Sequence, residues 1–206
     1  MSSSETERLA GLFATLQELK RVKRTGWIDR GVPLADVESV ADHSFLTILI
    51  AWIAATGDPG LNADKVLKLA VIHDIAESIV GDEPPYASDD VPAPSDTEAV
   101  RAFFSRHHVR TADNKAAKRL AEQAAFDHLA TMMPSAARLE LSELWEEYEA
   151  QETIEARFVK EVDTMEAYLQ SRYYAAQDPA LPVSGFADMA ANEIVIPLLA
   201  GIRDAS

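Results

Sequence analysis

The chain has 206 residues, no cysteine and a net charge of −15, and 48% of its residues are hydrophobic. Length and apolar content suit one domain, 1–206, with a sizeable core. The missing cysteines exclude disulfides and thiolate metal sites. The acidic balance argues against a nucleic-acid polymer as partner, because such binding needs basic surface against phosphates. No apolar run follows a basic segment at the start, and the most apolar stretch, Phe45 to Ala55, is too short to span a bilayer. A cytoplasmic protein with no membrane partner is the expectation, and any phosphate-bearing ligand needs local cations or a metal.

Residues 1 to 5 read as a frayed polar start. From Thr6 to about Lys23, Leu9, Leu12, Phe13, Leu16 and Leu19 recur at helical spacing. That helix ends in Lys20-Arg21-Val22-Lys23-Arg24, the densest basic cluster in the chain. Cations favour a helix C-terminus through the dipole; alternatively one of them, Arg24 first, faces an anion. Gly31-Val32-Pro33 marks a loop. Ser39 then reads as the N-cap of a central apolar helix, with Asp42 completing a capping box and His43 in the first turn. Alone, such a histidine is more often a satisfied core residue than a ligand.

Residues 63 to 80 read as one helix carrying His73-Asp74 inside an apolar run. Ionisable groups in a core are costly unless paired or metal-bound. His73 and Glu77 are four apart and share a helical face, with Asp74 about 100° round from His73. Gly81 and Pro84-Pro85 end the helix, placing Asp82 just past it. A polar, Pro-rich segment follows, and 83–114 reads as a long surface loop and variable segment. Helices are expected over Thr97 to His107, Asn114 to Met132, Ser135 to Gln151 and Thr153 to about Gln177. Asp163 flanks the apolar stripe of the last of these, and either Lys160 or a metal is its partner. A final helix is expected over 186–203. No strand-like alternation of useful length occurs, so the fold class is all-α, with its core over about 6–178.

His43, His73, Asp74 and Asp163 form a credible ligand set for a divalent ion. Their order, with separations of 30 and 89 residues between the three groups, resembles the HD-domain metal-dependent phosphohydrolases. Within them the chain is similar to the 5′-deoxynucleotidases. The matching stretches are Leu19 to Trp27, Glu38 to Ser44, Val71 to Asp82, Leu144 to Glu149 and Phe158 to Asp163, in the expected order, whereas 86–130 carries little resemblance.

This resemblance implies an HD-domain helical bundle with a central site for one divalent ion bound by His43, His73, Asp74 and Asp163. Manganese, cobalt, magnesium, iron, nickel and zinc are all open. It implies Glu77 and Asp82 as the acidic pair at the scissile phosphate and Arg24 as the phosphate contact. Trp27 is offered for sugar or base selection, and Lys160 stays without a firm role. The implied reaction removes phosphate from (deoxy)nucleoside 5′-monophosphates or a related nucleotide: a metal-activated water attacks phosphorus, and Glu77 or Asp82 assists proton transfer. Glu77 is favoured as proton donor and Asp82 as the orienting group.

Two other readings stay open. One is a non-catalytic, nucleotide-binding HD domain. The other is a di-iron HD oxygenase drawing on His107 or His108 and His128. The resemblance also implies a homodimer; the apolar C-terminal helix either serves that interface or packs on its own core.

Overall fold

The computed structural model describes residues 3–206. The polar start expected over 1–5 lies partly outside them, and from Ser3 the chain is helical. The fold is all-α, and among the described residues the only β-type pairing is one antiparallel bridge between Lys23 and Ser39. Among them, no helix is long and apolar enough to cross a membrane.

Three helices make the centre: α3 (Val40–Thr56), α4 (Ala63–Ile72) and α9 (Ile154–Gln177). α3 starts where expected, because Ser39 and Asp42 cap each other: the Asp42 N–H donates to the Ser39 hydroxyl (3.2 Å) and the Ser39 N–H to the Asp42 carboxylate (2.8 Å). α9 is capped by Thr153, whose hydroxyl accepts the Ala156 N–H. α8 (Ser135–Ala150) packs on α4 and α9, and its Trp145 stacks on Phe126 of α7 (Ala112–Met132) at 4.7 Å. α1 (Ser3–Leu16) lies along α7. The core includes Leu69, Ile72, Phe158, Val162 and Met165, all fully buried.

Three boundaries differ from the sequence expectation, each for a physical reason. The first helix stops at Leu16 and tightens into a 3-10 turn over Gln17–Lys20. The basic cluster beyond it is drawn into backbone pairing with residues 38–40: Arg24 N–H donates to the Glu38 carbonyl (3.2 Å) and Val40 N–H to the Val22 carbonyl (2.9 Å). A short helix, α2 (Thr25–Asp29), then carries Trp27.

The helix expected over 63–80 is interrupted. α4 ends at Ile72, bonds of i→i+3 type close the turn (Glu77 N–H to the Asp74 carbonyl, 3.0 Å), and α5 is the single turn Glu77–Val80. His73 and Asp74 therefore occupy the turn at the end of α4. Gly81 follows with φ 78°, a conformation glycine adopts without strain.

Within the segment 83–114 the helix expected over Thr97 to His107 is present as α6 (Thr97–Phe104). The segment is pinned by an aromatic cluster in which Tyr86 meets Phe104 at 5.6 Å and His108 at 5.1 Å. The C-terminal helix expected over 186–203 is two helices, α10 (Gly185–Glu193) and α11 (Pro197–Ala205). Pro197 has no N–H to continue α10 but suits the first turn of a new helix. Ile194 and Leu199 are fully buried on the protein's own core.

The break between α10 and α11 is held by Glu161 of α9, whose Oε2 accepts the N–H of both Val195 (2.8 Å) and Ile196 (2.7 Å). Glu161→Ala strands both donors and should lower unfolding stability by about 2 kcal/mol. Urea denaturation measures this, and a loss within about 0.5 kcal/mol, as for an ordinary surface change, contradicts it.

Candidate functional site

The Ser39 cap fixes where α3 begins and so turns His43 inward, where it is fully buried. Its Nδ1–H donates to Glu166, one turn beyond Asp163 on α9. That bond commits Nδ1 and aims Nε2 into the cluster. Nε2 lies 3.1 Å from Asp163 Oδ1 and 3.7 Å from Asp74 Oδ2. His73 is held in the same way: its Nδ1–H donates to the Ala70 carbonyl at 2.8 Å, a contact made by the turn at the end of α4. His73 Nε2 is 3.2 Å from Asp74 Oδ2, yet both atoms are buried without a hydrogen-bond partner. Tyr148 of α8 meets the His73 ring edge-on at 6.1 Å.

These donors converge from three elements. Nitrogen and oxygen ligands at about 2.1 Å from an octahedral ion lie about 3 Å apart. The observed separations of 3.1 to 3.7 Å are of that order. Orphaned buried atoms are costly, and a cation reached by both His73 Nε2 and Asp74 Oδ2 satisfies them together. The donor set of two imidazoles and two carboxylates fits a divalent ion.

The local field is strongly cation-seeking. Burial and Arg24 oppose charge on His43, but Asp163 and Glu166 push its pKa up to about 10. Burial alone would raise the two aspartates. His73 instead holds Asp74 well below the usual carboxylate range, and Lys160 and His43 do the same for Asp163. Behind His43, burial and then Glu166 push the Glu38 carboxyl up to about 7, against a hydrogen bond from the Trp27 indole (2.8 Å).

A cavity of about 700 Å³ opens over this cluster, lined by Arg24, Asp74, Glu77, Asp82, Lys118 and Asp163 among others. Glu77 is buried, and its Oε2 has no partner. Burial, and then the Asp74 charge, raise its carboxyl well above the usual range. Asp82 is fully engaged: Oδ1 accepts from Arg24 Nη1 (2.8 Å), Oδ2 accepts the Thr25 N–H (2.7 Å), and its carbonyl accepts the Thr25 hydroxyl (2.8 Å). It thereby orients Arg24, whose guanidinium stays firmly charged because Asp82, Glu77 and Asp74 outweigh its burial.

Lys160 donates to Asp163 Oδ2 at 2.8 Å, with its side chain half exposed. Trp27 is 2% exposed, stacks on Phe186 at 4.5 Å and commits its N–H to Glu38. It is part of the wall rather than a free platform in the cavity.

His107, His108 and His128 do not join the cluster. His107 pairs with Glu193 at 3.1 Å, His108 Nε2–H donates to the Phe103 carbonyl at 2.8 Å, and His128 is exposed on α7. The sequence reading missed Glu166, Lys118 and Arg30. Glu166 follows Asp163 by three residues on the same helical face, a signal that was available. Lys118 Nζ lies 3.7 Å from Glu77 Oε1 and bonds Glu122. It comes from a segment without motif, so only the fold could bring it in.

The family model described as "HD domain" matches residues 16–190. The chain is 39% identical to the 5′-deoxynucleotidase HDDC2 of Xenopus laevis over 172 residues, 84% of this chain and 72% of that protein. It is 30% identical to the 5′-deoxynucleotidase hdd1 of Schizosaccharomyces pombe, covering 84% of this chain and 76% of that one. A conserved hypothetical protein from Pyrococcus furiosus superposes with a TM-score of 0.68 at 26% identity, over 95% of this chain and 97% of that one. With its donors gathered from α3, the end of α4 and α9, and with this sequence match over most of its length, the chain belongs to the HD domain family.

Proposed function

We propose that the protein is a metal-dependent phosphomonoesterase acting on (deoxy)nucleoside 5′-monophosphates or closely related nucleotides. The observation that carries this reading is the convergence of His43 Nε2, His73 Nε2, Asp74 and Asp163 beneath a cavity that also presents Arg24 and Glu77. The relatives named 5′-deoxynucleotidase supply the substrate class.

The four residues would hold one divalent ion, with manganese, cobalt, magnesium, iron, nickel and zinc all acceptable to such donors. A bound ion would neutralise ester charge and lower the pKa of water. Arg24, steadied by Asp82, grips the phosphate oxygens through charge-assisted bonds and stabilises developing charge. Glu77, its carboxyl raised by burial and by Asp74, gives its proton to the departing 5′-oxygen, so the nucleoside leaves as an alcohol. Lys118, beside Glu77, adds positive charge at that end of the cavity. Lys160 neutralises Asp163 from outside, and Trp27 with Glu38 braces the Arg24 segment.

We further propose that the chain is one HD domain that acts as a homodimer in the cytoplasm. The surface that suits a second copy is on α3, where Phe45 and Ile53 are 60% and 70% exposed and Trp52 is half exposed. Ile53→Glu should halve the mass seen by analytical ultracentrifugation; an unchanged mass contradicts that interface.

Metal-stripped protein should release no phosphate from a panel of deoxy- and ribonucleoside 5′-monophosphates. Manganese, cobalt or magnesium added singly should restore release in the native chain and not in His73→Ala. Release that ignores metal, or none with any metal, contradicts the reading. Glu77→Gln should keep the metal and lose about 10²- to 10⁴-fold in kcat; a kcat near the native value removes Glu77 as proton donor and fits a non-catalytic domain no better. Glu166→Gln should weaken metal affinity about 10- to 100-fold, read by competition with a chelator, and unchanged affinity contradicts its role in holding His43.

A further inference from the structure

The cavity extends well past the metal centre, and its far wall contains a group that the phosphomonoesterase reading does not use. Arg30 follows α2 directly, lines the cavity and is 8% exposed. Its guanidinium lies between two rings, 4.2 Å from the centre of Phe104 and 4.6 Å from that of Phe186. Two rings pack against the guanidinium, and they offer its N–H groups no acceptor oxygen. Nη1 donates to the Gly26 carbonyl at 2.8 Å and reaches the Tyr86 hydroxyl only at 3.5 Å. Nε is buried without any partner. Tyr86 gives its own proton to Asp29 (3.1 Å), and Arg30 forms no ion pair among the described residues.

A buried guanidinium with an unsatisfied donor and no direct ion pair is destabilising in a way that a hydrophobic residue would avoid. Aromatic faces offset part of this, but they leave the donor edge unsatisfied. That cost is met when a ligand brings the missing negative charge. The rest of the wall agrees. Eight of the chain's 19 lysines and arginines line this one cavity, although the chain carries −15 overall. Lys115, Lys118 and Arg119 share one face of α7 by their spacing, and Arg110 stands on the segment before it. Three of these cations already have carboxylates: Arg110 has Glu83, Lys118 has Glu122 and Glu77, and Arg119 has Glu149. Arg30 differs from them in being buried with no carboxylate at ion-pair distance among the described residues; the nearby Asp29 carboxylate is bonded by Tyr86 instead.

Arg24 and Arg30 flank α2 at its two ends, and both line the same cavity. We propose that Arg30 is the centre of a second anion subsite, and that the natural ester carries a second negatively charged group on its ribose or base, held by the Arg30 edge while Arg24 holds the phosphate to be removed. The subsite rests on the phosphomonoesterase reading for the identity of that first phosphate. A carboxylate or a second phosphate both match the fork of N–H donors.

The test compares three probes: adenosine 5′-monophosphate, adenosine 3′,5′-bisphosphate and orotidine 5′-monophosphate, which bears a carboxylate on its base. Phosphate release gives kcat/KM and titration calorimetry gives Kd. The expected result is a preference of at least about tenfold for one of the two doubly anionic esters over the plain monophosphate. The favoured probe tells ribose phosphate from base carboxylate. Arg30→Met keeps a flexible apolar stem between the two rings. It should collapse that preference in both measurements while the thermal midpoint holds or rises, because an unpaired buried charge is gone.

Equal handling of all three esters overturns the subsite, and so does a preference that survives in Arg30→Met. If no ester is hydrolysed, the phosphomonoesterase reading fails by itself, and the ratio of Kd values still decides the subsite.

Discussion

The site depends on one buried hydrogen bond, from His43 Nδ1 to Glu166. It ties the first turn of α3 to the middle of α9, commits the imidazole Nδ1 and aims Nε2 at Asp163 and Asp74. Two helices that meet mainly through apolar side chains can slide or rotate by small amounts at little cost. A histidine and a carboxylate that are both fully buried cannot, because separating them strands a polar group in a medium that will not solvate it. The Ser39 cap works toward the same end, since it sets the register in which His43 enters the core.

The interrupted end of α4 completes the arrangement. A continuous helix would space His73, Asp74 and Glu77 only by the regular helical rotation. The turn lets His73 bond back to the Ala70 carbonyl and starts α5 with a buried Glu77. Asp82, just past Gly81, then reaches across to Arg24 and the N–H of Thr25. Residues far apart in sequence are thus linked by two short contacts, one behind the imidazole and one behind the guanidinium. The first leaves His43 Nε2 beside Asp163 and Asp74, and the second leaves Arg24 lining the cavity.

Much of this could be read from the chain. The capping box at Ser39, the apolar stripe of α9 and the His-Asp doublet in an apolar run all follow from local rules. They sufficed for an all-α fold and for bringing His43, His73, Asp74 and Asp163 into one candidate cluster. What escaped the sequence depended on tertiary forces. The break after Ile72 is stabilised by the environment of His73. The break at Pro197 relies on Glu161 from another helix. The helix within 83–114 was legible, but the cluster that pins the stretch was not, because Tyr86, Phe103, Phe104 and His108 are spread in sequence and gather only in space. Trp27, adjacent to the basic cluster, suggested a ligand platform, but its indole is turned into the wall by Glu38 and Phe186. Arg30 gave no sequence signal, since only the fold reveals that it is buried with Nε unbonded.

The central claim is that one divalent ion sits where the four donors converge. Anomalous scattering from crystals grown with manganese tests it most directly. A single strong peak is expected within bonding distance of His43 Nε2, His73 Nε2, Asp74 and Asp163, with Glu166 still bonded to His43 Nδ1. A peak elsewhere in the cavity, with either imidazole turned away from it, would contradict the account.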